Sequence, residues 1–150
     1  VIDHEVRMAR RHETNLTLAI IDVDHFKKYN DKYGHPAGDE ALAAISQTIL
    51  SKMRRPSDYA FRLGGEEFAL VFTELGRAES NDFLDNIRHS IESLNIPHAT
   101  NTASEYISIS IGAVTANGRS ILDAEQFYSE ADKALYMAKN NRNCTVITEL

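Results

Sequence analysis

The chain has 150 residues, is 43% hydrophobic and carries a net charge of -6. That length suits one well-buried domain over residues 1–150 and is short for two. The acidic excess argues against a surface that follows the phosphates of long DNA or RNA. Because no apolar run approaches the roughly 20 residues that cross a bilayer, no membrane contact is expected from this segment.

The single cysteine and the first residue bear on the setting of the chain. Cys144 has no partner for an internal disulfide, which favours a reducing cytoplasm. The sequence begins at Val1 and shows no signal peptide. We therefore expect it to be the C-terminal part of a longer, regulated protein, whose other regions could anchor it to a membrane.

Hydrophobic spacing predicts the elements of the first half of the chain. Val1 to Arg11 is typical of the tail of a helix, and the apolar run Leu16 to Val23 predicts a central strand. Asp39 is a candidate helix cap. It precedes apolar residues at helical spacing, Leu42, Ile45, Ile49 and Met53. Two short apolar runs flank a glycine pair and predict a hairpin, Tyr59 to Leu63 and Phe68 to Phe72.

The second half alternates helices and strands. A helix is predicted through Phe83, Ile87, Ile91 and Leu94, then a strand over Glu105 to Val114. Asp123 and Gln126 resemble a capping box that opens a helix, and Val146 with Ile147 closes the chain as an edge strand. This order predicts an α/β (α+β) fold with a mainly antiparallel central sheet and surrounding helices, of ferredoxin-like or polymerase-palm topology.

Two acidic clusters carry the candidate chemistry. Asp22 and Asp24 end the first long strand and are followed by a helix start, where carboxylates suit Mg²⁺ and free N–H groups suit phosphate. A helix cap is the alternative reading. Glu66 and Glu67 follow the glycine pair, which by itself is also typical of an ordinary hairpin with solvated glutamates. Because side chains alternate along a strand, only one of the two glutamates is expected to share an ion with Asp22.

Taken together, these motifs resemble the GGDEF family of diguanylate cyclases. The resemblance rests on IDVDHFK from Ile21, NDKYGH from Asn30, GDE from Gly38 and RLGGEEF from Arg62. It continues through SIG from Ser110 and ADKALYMAK from Ala131. A member of this family, similar in fold to nucleotide cyclases, condenses two GTP molecules, one on each domain of a homodimer, into cyclic di-GMP and two pyrophosphates.

The resemblance also implies roles for individual residues. Mg²⁺ (or Mn²⁺) would be held by the Asp22 carboxylate, the Val23 carbonyl and Glu66. Glu66 or Glu67 would accept the proton of the attacking hydroxyl, unless metal-bound water takes it. Asn30 and Asp39 would read the guanine edge, with Leu42 near the base. The remaining substrate contacts would come from Phe26, Lys27, His35, Lys139 and Arg142, although His35 could simply fill a turn.

The segment after the last helix departs from the family pattern A-K-x-x-G-R-N. It lacks the glycine, so Lys139 and Arg142 are one residue closer together. If the helix continues this far, the two cations share a face and can grip one triphosphate. Otherwise Arg142 is a charge at a helix end.

An inhibitory product site is implied by Arg55 and Asp58, which form the family's R-x-x-D pattern before the glycine turn. Ordinary surface charge is the alternative reading. The position where a further arginine is often found in the family is Asn86 here, with Arg88 nearby.

A different class of function follows if the domain is catalytically inactive, namely a module that senses GTP or cyclic di-GMP. An adenylyl-cyclase-like enzyme is disfavoured by the guanine-reading residues.

Overall fold

A computed structural model describes residues 1–121 and 123–150 of the chain. Its helices are α1 (Ile2–His12), α2 (Phe26–Tyr33), α3 (His35–Lys52), α4 (Arg77–Glu92) and α5 (Ala124–Ala138). Its strands are β1 (Asn15–Val23), β2 (Tyr59–Gly64), β3 (Glu67–Thr73), β4 (Ile109–Asn117) and β5 (Thr145–Glu149). They form one sheet in the order β2-β3-β1-β4-β5. Only β4 and β5 pair in parallel within this described part, so the prediction of a mainly antiparallel α+β sheet is confirmed.

Strand β1 lies at the centre of the sheet and is covered on both faces. Leu16, Leu18 and Ile20 belong to the core beneath α1 and α5. Ala19 and Ile21 belong to the larger core beneath α2, α3 and α4. This two-sided burial explains why the strand is almost continuously apolar rather than alternating, as the sequence predicted.

Strand β4 begins later than its alternating sequence predicted. The expected start was Glu105, whereas the strand begins at Ile109. The intervening residues pair with another segment: the His98 N–H donates to the Glu105 carbonyl at 2.9 Å, and the Ile107 N–H donates to the Ile96 carbonyl at 2.8 Å. The extended pattern is therefore real, but its first residues form a local ladder outside the main sheet.

Asp39 does not cap a helix, so this prediction is wrong. Helix α3 begins one turn earlier, at His35, with Gly34 as its N-cap and Pro36 in its first turn. Proline is favoured there because its ring presets a helical φ and its missing N–H costs no hydrogen bond. Asp39 therefore lies within the helix, on its exposed side.

The later helices follow their sequence signals more closely. The Asp123 carboxylate accepts the Gln126 N–H at 2.7 Å and caps α5, as predicted. Helix α4 ends at Glu92, so Leu94 lies beyond it and is 39% exposed rather than buried on the helix face. Among the described residues, no helix combines the length and apolarity needed to cross a bilayer.

Gly112 lets β4 and α5 approach more closely than any side chain would permit. A Cβ built on Gly112 would lie 1.9 Å from the Leu135 nitrogen and 2.3 Å from its Cα. We expect Gly112→Ala to lower the free energy of unfolding by about 3 kcal/mol, because backbone atoms of α5 must move. Urea unfolding measures this. Gly76→Ala is the control, since its nearest contact is the Glu79 side chain, which can turn away; equal losses in both variants would contradict the expectation.

Candidate active site

The acidic residues of the site meet at one end of the sheet. Asp22 on β1 stands opposite Glu67 on β3 in the antiparallel register. Just beyond this pair, the Val23 N–H donates to the Glu66 carbonyl at 3.2 Å. Directly opposed residues of two antiparallel strands present their side chains on the same face. Asp22 and Glu67 therefore share a face, and Glu66 lies in the adjoining turn.

The glycine pair leaves free space on the outer side of this turn. Gly65 has φ +50° and Gly64 has φ +149°, conformations that glycine adopts without a steric penalty. A Cβ at either position would have no neighbour within 4 Å, so the outer side of the turn can be approached closely. Arg62 donates its Nε–H to the Gly65 carbonyl at 2.8 Å and holds the turn from within the hairpin.

The site carries several carboxylates and one close cation. The Lys139 Nζ lies 2.7 Å from an Asp22 carboxylate oxygen. Burial nevertheless raises the pKa of Asp22, and the nearby charges of Glu66 and Asp24 add to that rise, while Lys139 opposes it. Burial and the Asp22 charge likewise raise the pKa of Glu67. Burial is the main cause of both rises, and a bound cation offsets the cost of ionising a buried carboxyl group.

The donor atoms at this end of the sheet suit a hard divalent cation. Carboxylate and carbonyl oxygens are the protein ligands that Mg²⁺ prefers, and it commonly takes only one or two carboxylates. Across residues 1–121 and 123–150, no group of three or more His, Cys, Asp or Glu side chains is arranged to hold a metal. The predicted set of Asp22, the Val23 carbonyl and Glu66 contains two carboxylates and stays a prediction.

Asp24 is more deeply buried than Asp22, whose side chain keeps 12% exposure. It is fully buried, and its oxygens accept hydrogen bonds from the Ser108 and Ser110 hydroxyls and from the Asn143 N–H. The cap reading is also wrong, because the N-cap of α2 is His25 and no side chain caps that end. Of the two aspartates, only Asp22 is placed to meet a ligand.

The predicted base-reading residues lie where α2 and α3 meet. Asp39, Leu42 and Arg62 line a cleft of about 210 Å³. The Asn30 Oδ1 is buried and has no hydrogen-bond partner among the described residues. It packs against Gly38, where an added Cβ would lie 1.9 Å from that oxygen. Gly38 therefore leaves the space that the Asn30 side chain occupies.

The other predicted substrate residues around α2 differ in exposure. Phe26 is 6% exposed and stacks on Tyr29, with ring centroids 5.9 Å apart and planes 8° from parallel. Lys27 and His35 are both exposed, in the first turns of α2 and α3. Phe26 is thus a core residue beneath this region, whereas the Lys27 and His35 side chains are open to a ligand.

Helix α5 ends before Arg142, so the condition for a shared helical face of Lys139 and Arg142 is not met. The last helical residue is Ala138 and Lys139 is the C-cap. Arg142 and Asn143 both have positive φ, 57° and 44°. The Arg142 guanidinium lies 3.8 Å from an Asp24 oxygen. A turn, rather than a helix, therefore brings both cations towards the end of β1.

The R-x-x-D pair lies at the opposite end of the β2–β3 hairpin from the glycine turn. The six residues of β2 separate the two places, about 20 Å of extended chain. Arg55 contacts Asp58 at 3.3 Å and donates to the Thr73 carbonyl at 2.8 Å. Arg88 is engaged elsewhere, donating to the Asn143 carbonyl and side chain at 3.1 Å.

Three residues of this region were not singled out by sequence reasoning. Ser108 and Ser110 bind Asp24, and Arg62 binds the glycine turn. A signal existed for the serines, because alternating polar residues beside Ile107 and Ile109 in a buried segment need partners. For Arg62 the signal was its position two residues before the glycine pair.

Comparisons with known proteins agree on one family. A family model described as "Diguanylate cyclase, GGDEF domain" matches residues 1–144. Diguanylate cyclase DosC of Escherichia coli (strain K12) is 41% identical over 139 residues, which are 93% of this chain and 29% of that protein. The chain therefore spans less than a third of this relative.

Two solved structures are similar in fold over nearly the whole chain. The GGDEF domain of DgcB from Caulobacter crescentus, in complex with c-di-GMP, has a TM-score of 0.86 and 30% identity, covering 97% of this chain and 85% of that one. The active GGEEF domain of a diguanylate cyclase from Vibrio cholerae has a TM-score of 0.78 and 28% identity, covering 97% and 90%. The pentapeptide GGEEF also occurs here, from Gly64 to Phe68.

His98 makes the stability of this region sensitive to acid. Its ring is fully buried, with Nε2 3.1 Å from the His25 carbonyl oxygen, and burial is the main cause that lowers its pKa. Because the unfolded chain binds the proton near the ordinary value of about 6.5, stability is present above that pH and is lost as pH falls towards the lower folded pKa.

We expect the unfolding temperature of the natural chain to drop more between pH 7.5 and pH 5.5 than that of His98→Gln. The glutamine is polar and does not titrate, so it removes the proton-linked loss. Calorimetry of both proteins at the two pH values measures the difference, in which the contributions of the other titrating groups cancel. An identical drop in both would rule out His98 as the source.

Proposed function

Because the chain belongs to the GGDEF family of diguanylate cyclases, we propose that it condenses two GTP molecules into cyclic di-GMP with release of two pyrophosphates. The observation that carries this proposal is the meeting of Asp22, Glu66 and Glu67 at one end of the sheet, beside the cleft formed with α3. Nucleotidyl transfer is the reaction for which this arrangement is suited.

Each of the two steps forms one bond and breaks one. The 3′-oxygen of one GTP attacks the α-phosphorus of the other, the bond from that phosphorus to the bridging oxygen breaks, and pyrophosphate leaves. The hydroxyl proton passes to a carboxylate of the glutamate pair. Since both 3′-hydroxyls must react, each domain supplies one nucleotide, and we propose a homodimer as the active form.

We propose that Mg²⁺ or Mn²⁺ is held by Asp22, the Val23 carbonyl and Glu66, with Glu67 placed beside this set, opposite Asp22. When bound, the cation neutralises charge on the α-phosphate and the leaving pyrophosphate. The raised pKa values of Asp22 and Glu67 support this proposal, because they result mainly from burial and, to a lesser degree, from neighbouring carboxylates, and a bound cation offsets both. Lys139 and Arg142 would contact the phosphates, and Lys27, which is exposed, would be a further contact.

The base is held in the cleft between α3 and the hairpin. Asp39 accepts from the N1–H and N2–H of guanine, and Asn30 offers an acceptor and a donor. Leu42 packs beside the base, with Phe26 beneath and His35 at the rim. Adenine lacks this donor pattern, which supports GTP as the substrate.

We further propose that Arg55 and Asp58 bind the product. The c-di-GMP in the related DgcB structure belongs to that protein. In this chain the Arg55 side chain is 39% exposed, so it can turn from its present contacts to a phosphate. Its distance from the glycine turn along β2 makes this a second site, separate from the one that reacts.

We expect the chain, incubated with GTP and Mg²⁺, to produce cyclic di-GMP and pyrophosphate, which chromatography with mass detection quantifies. Asp22→Asn should lower the rate at least a hundredfold, since loss of a metal-binding carboxylate removes charge stabilisation of several kcal/mol. Asp82→Asn, an exposed acidic site on α4, is the control and should keep the rate. Absence of product even when an appended coiled coil holds two chains together, while GTP still binds, would refute the proposal and favour a sensor.

We expect Asp39→Ala to weaken GTP binding about tenfold or more, because hydrogen bonds to a charged acceptor are lost. Binding of ATP, which lacks the matching donors, should change little. Glu40→Ala is the matched control, as the neighbouring exposed acid on the same helix. Calorimetric titration of both nucleotides measures the ratio, and a parallel loss for GTP and ATP would show that Asp39 does not read the base.

A further inference from the structure

Asp24 is the most fully satisfied buried carboxylate near the site, yet it binds no substrate group in the scheme above. One of its oxygens, Oδ2, accepts from the Ser108 hydroxyl at 2.7 Å and from the Asn143 N–H at 2.9 Å. The other, Oδ1, accepts from the Ser110 hydroxyl at 2.6 Å and lies 3.8 Å from the Arg142 guanidinium. With these partners and no exposure, Asp24 is committed to the protein rather than to an ion.

The partners of Asp24 come from two distant parts of the chain. Ser108 immediately precedes β4 and Ser110 lies at its start, whereas Arg142 and Asn143 belong to the turn that follows α5. That turn, residues 139–143, connects α5 to β5. Asp24 therefore joins the end of β1 to the start of β4 and to the turn after α5.

The backbone of the turn after α5 needs such support. Arg142 and Asn143 are consecutive residues in the left-handed region, where an ordinary residue costs about 1–2 kcal/mol. Asn143 is held at each polar group: Asp24 accepts its N–H, Arg88 donates to its carbonyl, and its side-chain amide donates to Glu92 at 2.8 Å. These contacts select one path for the turn.

This path of the turn places two cationic side chains near the same end of β1. Lys139 contacts Asp22, and Arg142 lies close to Asp24, two residues further along the chain. Both cationic side chains keep partial exposure, 35% and 29%. They can therefore move to a ligand while the backbone beneath them stays fixed.

We propose that Asp24 is a positioning residue that fixes the turn 139–143 so that Lys139 and Arg142 face the triphosphate. The position of the triphosphate in this proposal rests on the function proposed above. The contacts that hold the turn do not depend on that function. Asp24 acts through the Asn143 N–H and the Arg142 guanidinium. Arg142 occupies a left-handed position, where the family pattern would supply a glycine, and pairs with Asp24 from there.

The first test does not depend on nucleotide. In Asp24→Asn an NH₂ group replaces one carboxylate oxygen and the negative charge is lost. The Asn143 N–H therefore loses its charge-assisted acceptor. We expect hydrogen exchange at the Asn143 amide, followed by NMR, to accelerate at least tenfold while the central β4 amide of Val114 stays protected. Unchanged exchange at Asn143 would overturn the proposal.

The second test separates positioning from a general structural role. In Asp24→Asn we expect the Kd for GTP with Mg²⁺ to rise at least tenfold and the Kd for GMP to change less than twofold, since GMP lacks the outer phosphates. Asp82→Asn controls for the change in net charge and should alter neither. A matching loss for GTP and GMP would assign Asp24 to the stability of the whole site and refute the positioning role.

A second variant guards against misfolding of the first. Arg142→Gly keeps a residue that favours positive φ and removes the cation. In Arg142→Gly we expect normal hydrogen exchange at the Asn143 amide together with weaker GTP binding. The double variant with Asp24→Asn should bind GTP no more weakly than the weaker-binding of the two single variants. Full additivity of the two effects on GTP binding would show that the two residues act separately.

If the natural chain itself binds no GTP, the proposed function fails, while the exchange result still decides whether Asp24 holds the turn.

Discussion

Strand β1 is paired along both edges, and this double pairing fixes where every acidic group of the site lies. Its register with β3 sets Asp22 opposite Glu67, and its register with β4 brings Ser110 beside the same end. The chain leaves the sheet only after Val23, whose N–H still binds the Glu66 carbonyl. A shift by one residue would turn Asp22 towards the opposite core, which the buried leucines on the α5 side prevent.

Much of this arrangement was readable from the sequence because it depends on local pattern. The apolar run of β1, the glycine pair of the hairpin and the Asp123 cap each predicted their element, and the motifs around them predicted the family. The start of α3 was misread because Asp39 is a good cap residue, whereas Pro36 one turn earlier decided the boundary. The start of β4 was misread because a local ladder competed for the same extended residues.

The contacts that the sequence did not reveal are long-range and polar. Asp24 is 84 residues from Ser108 and 119 from Asn143, and no periodicity links such positions. The end of α5 was also ambiguous, since Lys139 and Arg142 are spaced as neighbours on a helix but are joined by a left-handed turn. Contacts from outside α5 accompany the turn, because Asp24 on one side and Arg88 and Glu92 of α4 on the other bind Asn143.

The ion pair between Lys139 and Asp22, 2.7 Å long, bears on the cation proposed for this site. A cation arriving alone would displace the ammonium group from the carboxylate and leave it without that partner. A cation arriving already bound to a triphosphate would bring a replacement partner with it. With the proposed metal ligands, this ion pair therefore favours a nucleotide-chelated cation over a free one.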